Sequence, residues 1–198
     1  MRRSGFPVVE VIISASMLLA LSLLLVVGWS QGMRAWGTVA EKNEVVTQGQ
    51  RLVRLLEREL EGSSTASVET APSPSSLSFA SSFDLDTRRQ FEADAATGSL
   101  FWQKRVVYYF QDQSVYRREL ATPVSSPGYS SPLPISEVDL GSGKRPMAFY
   151  TDQGSPVARE VTDATFELDG SRVRVKVRLV TPRGTPVDFE SVTRLRNS

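Results

Sequence analysis

Two residue types are missing altogether: the chain has no cysteine and no histidine. Without thiols there is no disulfide and no thiolate metal site, so any folded region must be held by packing alone. Without imidazole, Ser-His-Asp and Cys-His catalysis are excluded, together with the commonest metal ligand. An enzyme made from this chain would depend on carboxylates, Lys or Tyr. No acidic pair stands in a motif that would raise one pKa for general-acid work. An excess of either charge is missing too: 23 basic residues face 22 acidic ones, a formal net charge of +1. The overall balance therefore gives no argument for a nucleic-acid or acidic partner. The expectation is a protein that is not an enzyme and carries no cofactor or metal.

Charge is also absent over one long stretch. From Val11 to Trp29 the chain is apolar, broken only by Ser14, Ser16, Ser22 and Gly28. A helix from Phe6 to Trp29 would be about 36 Å long at about 1.5 Å per residue, enough to cross a hydrocarbon core of about 30 Å. Arg2 and Arg3 precede the run, so the positive-inside rule puts the N-terminus in the cytoplasm and the rest of the chain outside. A cleaved secretory signal is the competing reading. Its best cleavage site, Ala20-Leu21-Ser22, lies inside the apolar run. Glu10, at the mouth of the run, is the sharper feature. A carboxylate there is either solvated at the interface beside the positive helix end or waiting for a cationic partner.

The order basic leader, Gly5-Phe6-Pro7-Val8-Val9-Glu10, apolar run resembles the class III signal of type IV pilins and type II secretion pseudopilins. The resemblance implies cleavage by a prepilin peptidase between Gly5 and Phe6, N-methylation of the new Phe6 terminus, and retention of the apolar segment. It also implies that Glu10 meets the Phe6 amine of a neighbouring subunit, fixing one helix against the next. Each of those charges is costly when buried singly among apolar helices. The chain departs from the family pattern in having Pro7 where Thr or Ser is usual, a residue that the first helical positions tolerate. It also lacks the mid-segment Pro of major pilins and the C-terminal disulfide that many pilins carry.

Beyond the span the helical pattern continues. Val45, Leu52, Leu55 or Leu56, and Leu60 recur at helical spacing, with Arg51, Arg54, Glu57, Arg58 and Glu61 on the other face. Gly62-Ser63-Ser64 reads as the stop. The expected architecture is α+β: a leader at 1–5, one helix at 6–61 whose transmembrane half is 8–29, an extended and mobile linker at 62–76, and an antiparallel β-sheet head at 77–198. Leu77, Phe79, Ser81 and Phe83 suggest a short strand with one buried face. Asp84-Leu85-Asp86 begins like a calcium loop but lacks the Gly and closing Glu such a loop requires. Residues 87–99 read as a loop or short helix.

Leu100–Phe110 is dense in apolar side chains on both faces, as in a central strand. Asp112-Gln113 is its turn and Val115–Leu120 the return. Thr122–Pro134, with four prolines, reads as an irregular surface loop that runs on to a short strand at Met147–Thr151. The last region alternates clearly. Asp169-Gly170 would turn a hairpin with Glu167 facing Arg172 and Asp163 facing Lys176. Val173, Val175, Val177 and Leu179 lie on one face, with Arg172, Arg174, Lys176 and Arg178 on the other. A three-residue loop at Pro182-Arg183-Gly184 would set Arg178 against Asp188 and Lys176 against Glu190. Acidic neighbours on both sides neutralise the basic row, so nucleic-acid binding is not expected.

Arg51–Leu60, Val107–Phe110, Tyr116–Glu119 and Arg194–Asn197 resemble segments of J-class minor pseudopilins and W-type minor pilins. The resemblance implies a structural subunit that initiates or caps a type IV pilus or a type II secretion pseudopilus. Implied partners are other minor pilins or pseudopilins, the major subunit, the prepilin peptidase and an inner-membrane assembly platform. The implied location is the bacterial inner membrane, with a single span and a cytoplasmic N-terminus, followed by a periplasmic or surface filament. A membrane-anchored binding module at a filament tip, for a surface, a substrate or DNA, is the alternative.

Overall fold

The structure, a computed structural model, describes residues 6–82 and 93–195, with side chains from Val8 onward. Gly5, Phe83, the Asp84-Leu85-Asp86 triplet and the last three residues lie outside the described set. Helix α1, Phe6–Glu61, runs uninterrupted for 56 residues, about 84 Å at 1.5 Å per residue. Pro7, its second residue, sits where a missing N–H costs nothing. No other proline follows until Pro72, and Arg58 complements the negative helix end. Ser63 closes the helix by donating both its N–H and its hydroxyl to the Leu60 carbonyl. The expected α+β layout is what the chain adopts. It divides into two compact units, one ending at Glu44 and one starting at Val45, so the boundary falls inside α1.

The second unit contains two antiparallel sheets. The first, in the order β1-β2-β3-β4-β5, comprises β1 Glu69–Pro72, β2 Ser75–Ser81, β3 Lys104–Gln111, β4 Ser114–Ala121 and β5 Ser155–Arg159. The second, β6-β7-β8, comprises β6 Val161–Asp169, β7 Arg172–Val180 and β8 Pro186–Arg194. Val45, Leu52, Leu56 and Leu60 of α1 bury their side chains in one core with Leu77, Phe79, Val106 and Tyr108 of the first sheet and Ala164, Phe166, Val175 and Leu179 of the second. Each buried Val, Leu or Phe among them contributes about 1.5–3 kcal/mol of transfer free energy. The far face of the first sheet carries a smaller core, Val107 and Tyr109 with Ile135, Met147 and Tyr150. The first sheet is therefore covered on both faces, which explains why β3 is apolar at odd and even positions alike.

Several sequence expectations change. The stretch 62–76 is not a mobile linker. It forms a 3₁₀ turn at Thr65–Ser67, then β1, a cis Ser73-Pro74 bond and the start of β2. Ser63, Ser64 and Ser67 are buried there, and the Ser67 hydroxyl accepts from the Ala80 N–H, so serines that suggested solvation act as backbone partners. Residues Ser76–Ser82 are buried on both faces rather than one. The stretch 122–134 is largely irregular and at the surface, as read, with Val124 exposed, but Ser126 caps a one-turn helix within it, α2, Pro127–Ser130. Just beyond it Ile135 plugs into the back of the sheet. Met147–Tyr150 is a 3₁₀ turn instead of a strand, and it buries Met147 and Tyr150 on one side.

The β3–β4 turn is as read: Asp112 and Gln113 both take left-handed φ values, 47° and 56°, which a two-residue type I′ turn demands. The β6–β7 turn shifts by one residue. Gly170, at φ 57°, supplies the single left-handed position, so Asp169 stays in the ladder opposite Arg172. Glu167 consequently faces Arg174, and Asp163 faces Arg178. The shift moves partners by two positions, so the inward and outward sets are unchanged. The three-residue loop at Pro182-Arg183-Gly184 gives the expected register, Arg178 opposite Asp188 and Lys176 opposite Glu190. Arg178 bonds Asp188 at 2.6 Å and holds its carboxyl below the usual range, while Glu190 pairs diagonally with Arg174 at 3.7 Å. Among the described residues no strand lies beside the far edge of β8.

Close approach and directed bonds hold α1 to these sheets. Gly49 has no side chain where the Phe189 ring lies; a Cβ there would sit 2.2 Å from ring carbon Cε2. The Ser191 hydroxyl donates to Glu57 at 2.5 Å. Glu59 accepts from the Tyr108 hydroxyl at 2.6 Å and from Arg117 through Nε at 3.1 Å and Nη2 at 2.5 Å. Arg117 also reaches Glu119, which pairs with Lys104 at 3.4 Å. Arg105 is fully buried with no carboxylate beside it among the described residues. It donates to the carbonyls of Leu133 and Gly128, and burial lowers its guanidinium to about 10.

Two tests follow from this packing. Gly49→Ala should destabilise the chain by about 1–3 kcal/mol through overpacking. In a Phe189→Ala background the same change should instead stabilise by up to about 1 kcal/mol, the helix propensity gain, so a denaturant double-mutant cycle should show the sign reverse. Burial, followed by the charge and hydrogen bond of Glu59, raises the Tyr108 phenol well above its ordinary value near 10. A pKa raised on folding gives stability that is complete below the unfolded pKa and is lost as pH rises through the folded one. The stability gap between the natural chain and Tyr108→Phe should therefore be constant up to about pH 10 and shrink above it in urea titrations.

Candidate functional site

The site-bearing residues of the sequence analysis belong to the first unit, which consists of α1 as far as Glu44 and the residues before it. Gly5 lies outside the described residues, and Phe6 is the first residue of the helix. Glu10 follows one turn later, on the same side as Phe6 by helical spacing. It is exposed and lines a shallow groove with Val11, Ser14, Ala15 and Leu18. Among the described residues Glu10 makes no ion pair within the chain. Such a carboxylate, at the edge of an apolar surface, is suited to accept a cation brought by another molecule.

Every large apolar side chain from Val8 to Val27 is exposed, and the apolar surface extends around the helix. Two hydroxyls in and just beyond this stretch bond back to the helix: Ser16 donates to the Ile12 carbonyl at 2.7 Å and Ser30 to the Val27 carbonyl at 2.8 Å. A helix that satisfies its own backbone while offering hydrocarbon outward meets the solvent requirements of a bilayer core. Trp29 is 75 % exposed and Trp36 77 %. With Arg34 next to them they have the amphipathic character of interface anchors. The helix is long and apolar enough to cross a membrane once, near the N-terminus.

One feature of this surface was not singled out as a site from sequence. Gly28 and Gly32 leave an apolar notch walled by Leu21, Leu25, Trp29, Met33 and Trp36. Their spacing of four is the signal that could have located it, since small residues at that interval let helix backbones approach closely. Among the described residues, no group of three or more acidic side chains is placed to hold a metal ion. The basic row of β7 lies on the exposed face of the second sheet with acidic residues opposite it on both neighbours.

Fold and helix together define a class: an α+β protein with one membrane-spanning-length helix at its N-terminal end, consistent with single-pass membrane association. Comparison with protein-family models, with curated proteins and with solved structures gave no match.

A charge placed mid-span tests the membrane assignment directly. Leu19→Arg should cost about 2.5–3.5 kcal/mol of insertion free energy. In carbonate extraction it should shift the chain from the membrane pellet toward the soluble fraction, and Leu19→Ile should leave the chain in the pellet.

Proposed function

We propose that this chain is a minor pilin or pseudopilin: a structural subunit that initiates or caps a type IV pilus or a type II secretion pseudopilus. The observation that carries the reading is the placement of Glu10. It stands one turn into an apolar helix as a carboxylate with no ion pair among the described residues, four residues after the Phe6 that follows Gly5 in a basic leader. Cutting after Gly5 creates an amine at Phe6, and a neighbouring subunit's Glu10 gives that amine a partner once both leave water. The amine and carboxylate then fix the stagger of adjacent helices, while the apolar surface from Val8 to Val27 supplies the burial.

In this role the chain is processed by a prepilin peptidase on the cytoplasmic side of the inner membrane. It waits there as a single-span protein with its sheet domain outside. From an inner-membrane assembly platform it then joins other minor subunits and the major subunit. Its work is assembly, not catalysis.

A tip-binding role is the second reading, favoured by one observation. Phe149 is 51 % exposed with the Arg145 guanidinium 5.4 Å from its ring centre, beside exposed Lys144 and Arg145 side chains. Exposed aromatic and Arg side chains are common anchors of protein interfaces.

The decisive measurement is the intact mass of the mature protein from cells with active prepilin peptidase. The expected mass lacks Met1 to Gly5 and includes one added methyl group; a chain that keeps those five residues removes the assignment. Glu10→Val should enter the membrane normally and abolish incorporation into filaments. Under the tip-binding reading alone, the same substitution would leave function intact.

A further inference from the structure

The end of α1 joins the first sheet in two ways that differ in mechanical strength. Along the backbone, Glu61 leads through the Thr65–Ser67 turn into β1, a four-residue edge strand whose only ladder partner among the described residues is β2. A pull on α1 carried by that route would open the β1–β2 hairpin from its free end, one ladder bond at a time. The apolar stripe of α1 adds little resistance along the helix axis, because hydrophobic contact is non-directional.

The second connection bypasses β1. Glu59 sits within the last turn of α1, and both of its oxygens are engaged: Arg117 of β4 grips them as a fork at 3.1 and 2.5 Å, and Tyr108 of β3 donates at 2.6 Å. The Glu59 and Arg117 side chains are 14 % and 13 % exposed, so water competes weakly for the pair. β3 is the middle strand of five. Bidentate charge-assisted bonds are short and directional. A buried ion pair adds little net stability compared with apolar residues of the same volume. The geometry therefore suits resistance to sliding better than it suits equilibrium stability.

We propose that Glu59, Tyr108 and Arg117 form a force-carrying clamp that passes load on α1 directly into the centre of the first sheet, sparing the weak β1–β2 hairpin. The inference rests on the filament-subunit reading only for the source of the load, the drawing of the helix out of the membrane and any tension on the assembled fibre. Glu57, bonded to Ser191 of β8, ties the same helical turn to the second sheet.

Single-molecule pulling on the full chain held in a lipid nanodisc tests this. The protein has no cysteine, so Thr47→Cys and Gln111→Cys, at two exposed positions, attach the handles uniquely. The parent should rupture in one high-force event. The triple variant Glu59→Leu, Tyr108→Phe, Arg117→Met removes the clamp without stranding either member of the central pair. It should rupture at half the force or less, with an added early step of about 45 Å as Gly62–Pro74 pays out at about 3.3–3.6 Å per residue while β2 stays paired with β3, and its urea midpoint should match the parent's. Glu59→Gln, which keeps the shape of the site and the means to fold, should show an intermediate force. Unchanged rupture force in either variant overturns the clamp, as does a midpoint that falls in proportion to the force. A single pulled chain needs no filament, so failure here leaves the filament reading standing, and an uncut N-terminus would leave the clamp standing.

Discussion

Between Val11 and Trp29 the chain offers its surroundings no charge and almost no polar group, and its backbone is closed on itself in a helix. In water such a surface is unfavourable by about 25 cal/mol for each Å² left uncovered. Lipid relieves that cost without specificity, because one hydrocarbon contact is as good as another. What lipid cannot satisfy is Glu10. The apolar segment suits the helix to a hydrocarbon surrounding, and the carboxylate calls for a cationic partner that hydrocarbon does not supply.

The sheet domain obeys a different constraint. With no disulfide available, its order depends on burying both faces of a five-stranded sheet and one face of a three-stranded one. Polar groups that enter this interior are put to use as connectors. Serines 63 and 67 close the helix end and the following turn, Arg105 gathers the carbonyls of the proline-rich segment, and Glu57 and Glu59 reach different sheets from one helical turn. Gly49 and Phe189 show the same economy in apolar form, the missing Cβ of one making the seat for the other.

Features set by local periodicity were legible in the sequence. The limits of α1, the inward set Val173, Val175, Val177 and Leu179, and the register fixed by the loop ending at Gly184 all follow from spacing over a few residues. Features set by distant partners were not. Residues 62–76 carry the composition of a linker, and only the presence of β2 and β3 beside them makes β1 a strand. Ile135, Met147 and Tyr150 lie among prolines and glycines with no period, because they plug a sheet back rather than line a regular element. At the β6–β7 hairpin the Asp-Gly pair was recognised, but which residue of the pair turned was decided by the need for just one left-handed position. Of the candidate site, Glu10 and the apolar helix could be named from sequence. The notch at Gly28 and Gly32 required seeing which side chains wall it.

Among the described residues the second sheet ends at β8, with one side of that nine-residue strand unpaired and no bulge to interrupt it. Its N–H and C=O groups there must bind solvent, and Asp188, Glu190 and Arg194 stand exposed around them. A second strand approaching this edge would have to strip water from those charged side chains before it could add to the ladder, which blunts the edge as a template for aggregation.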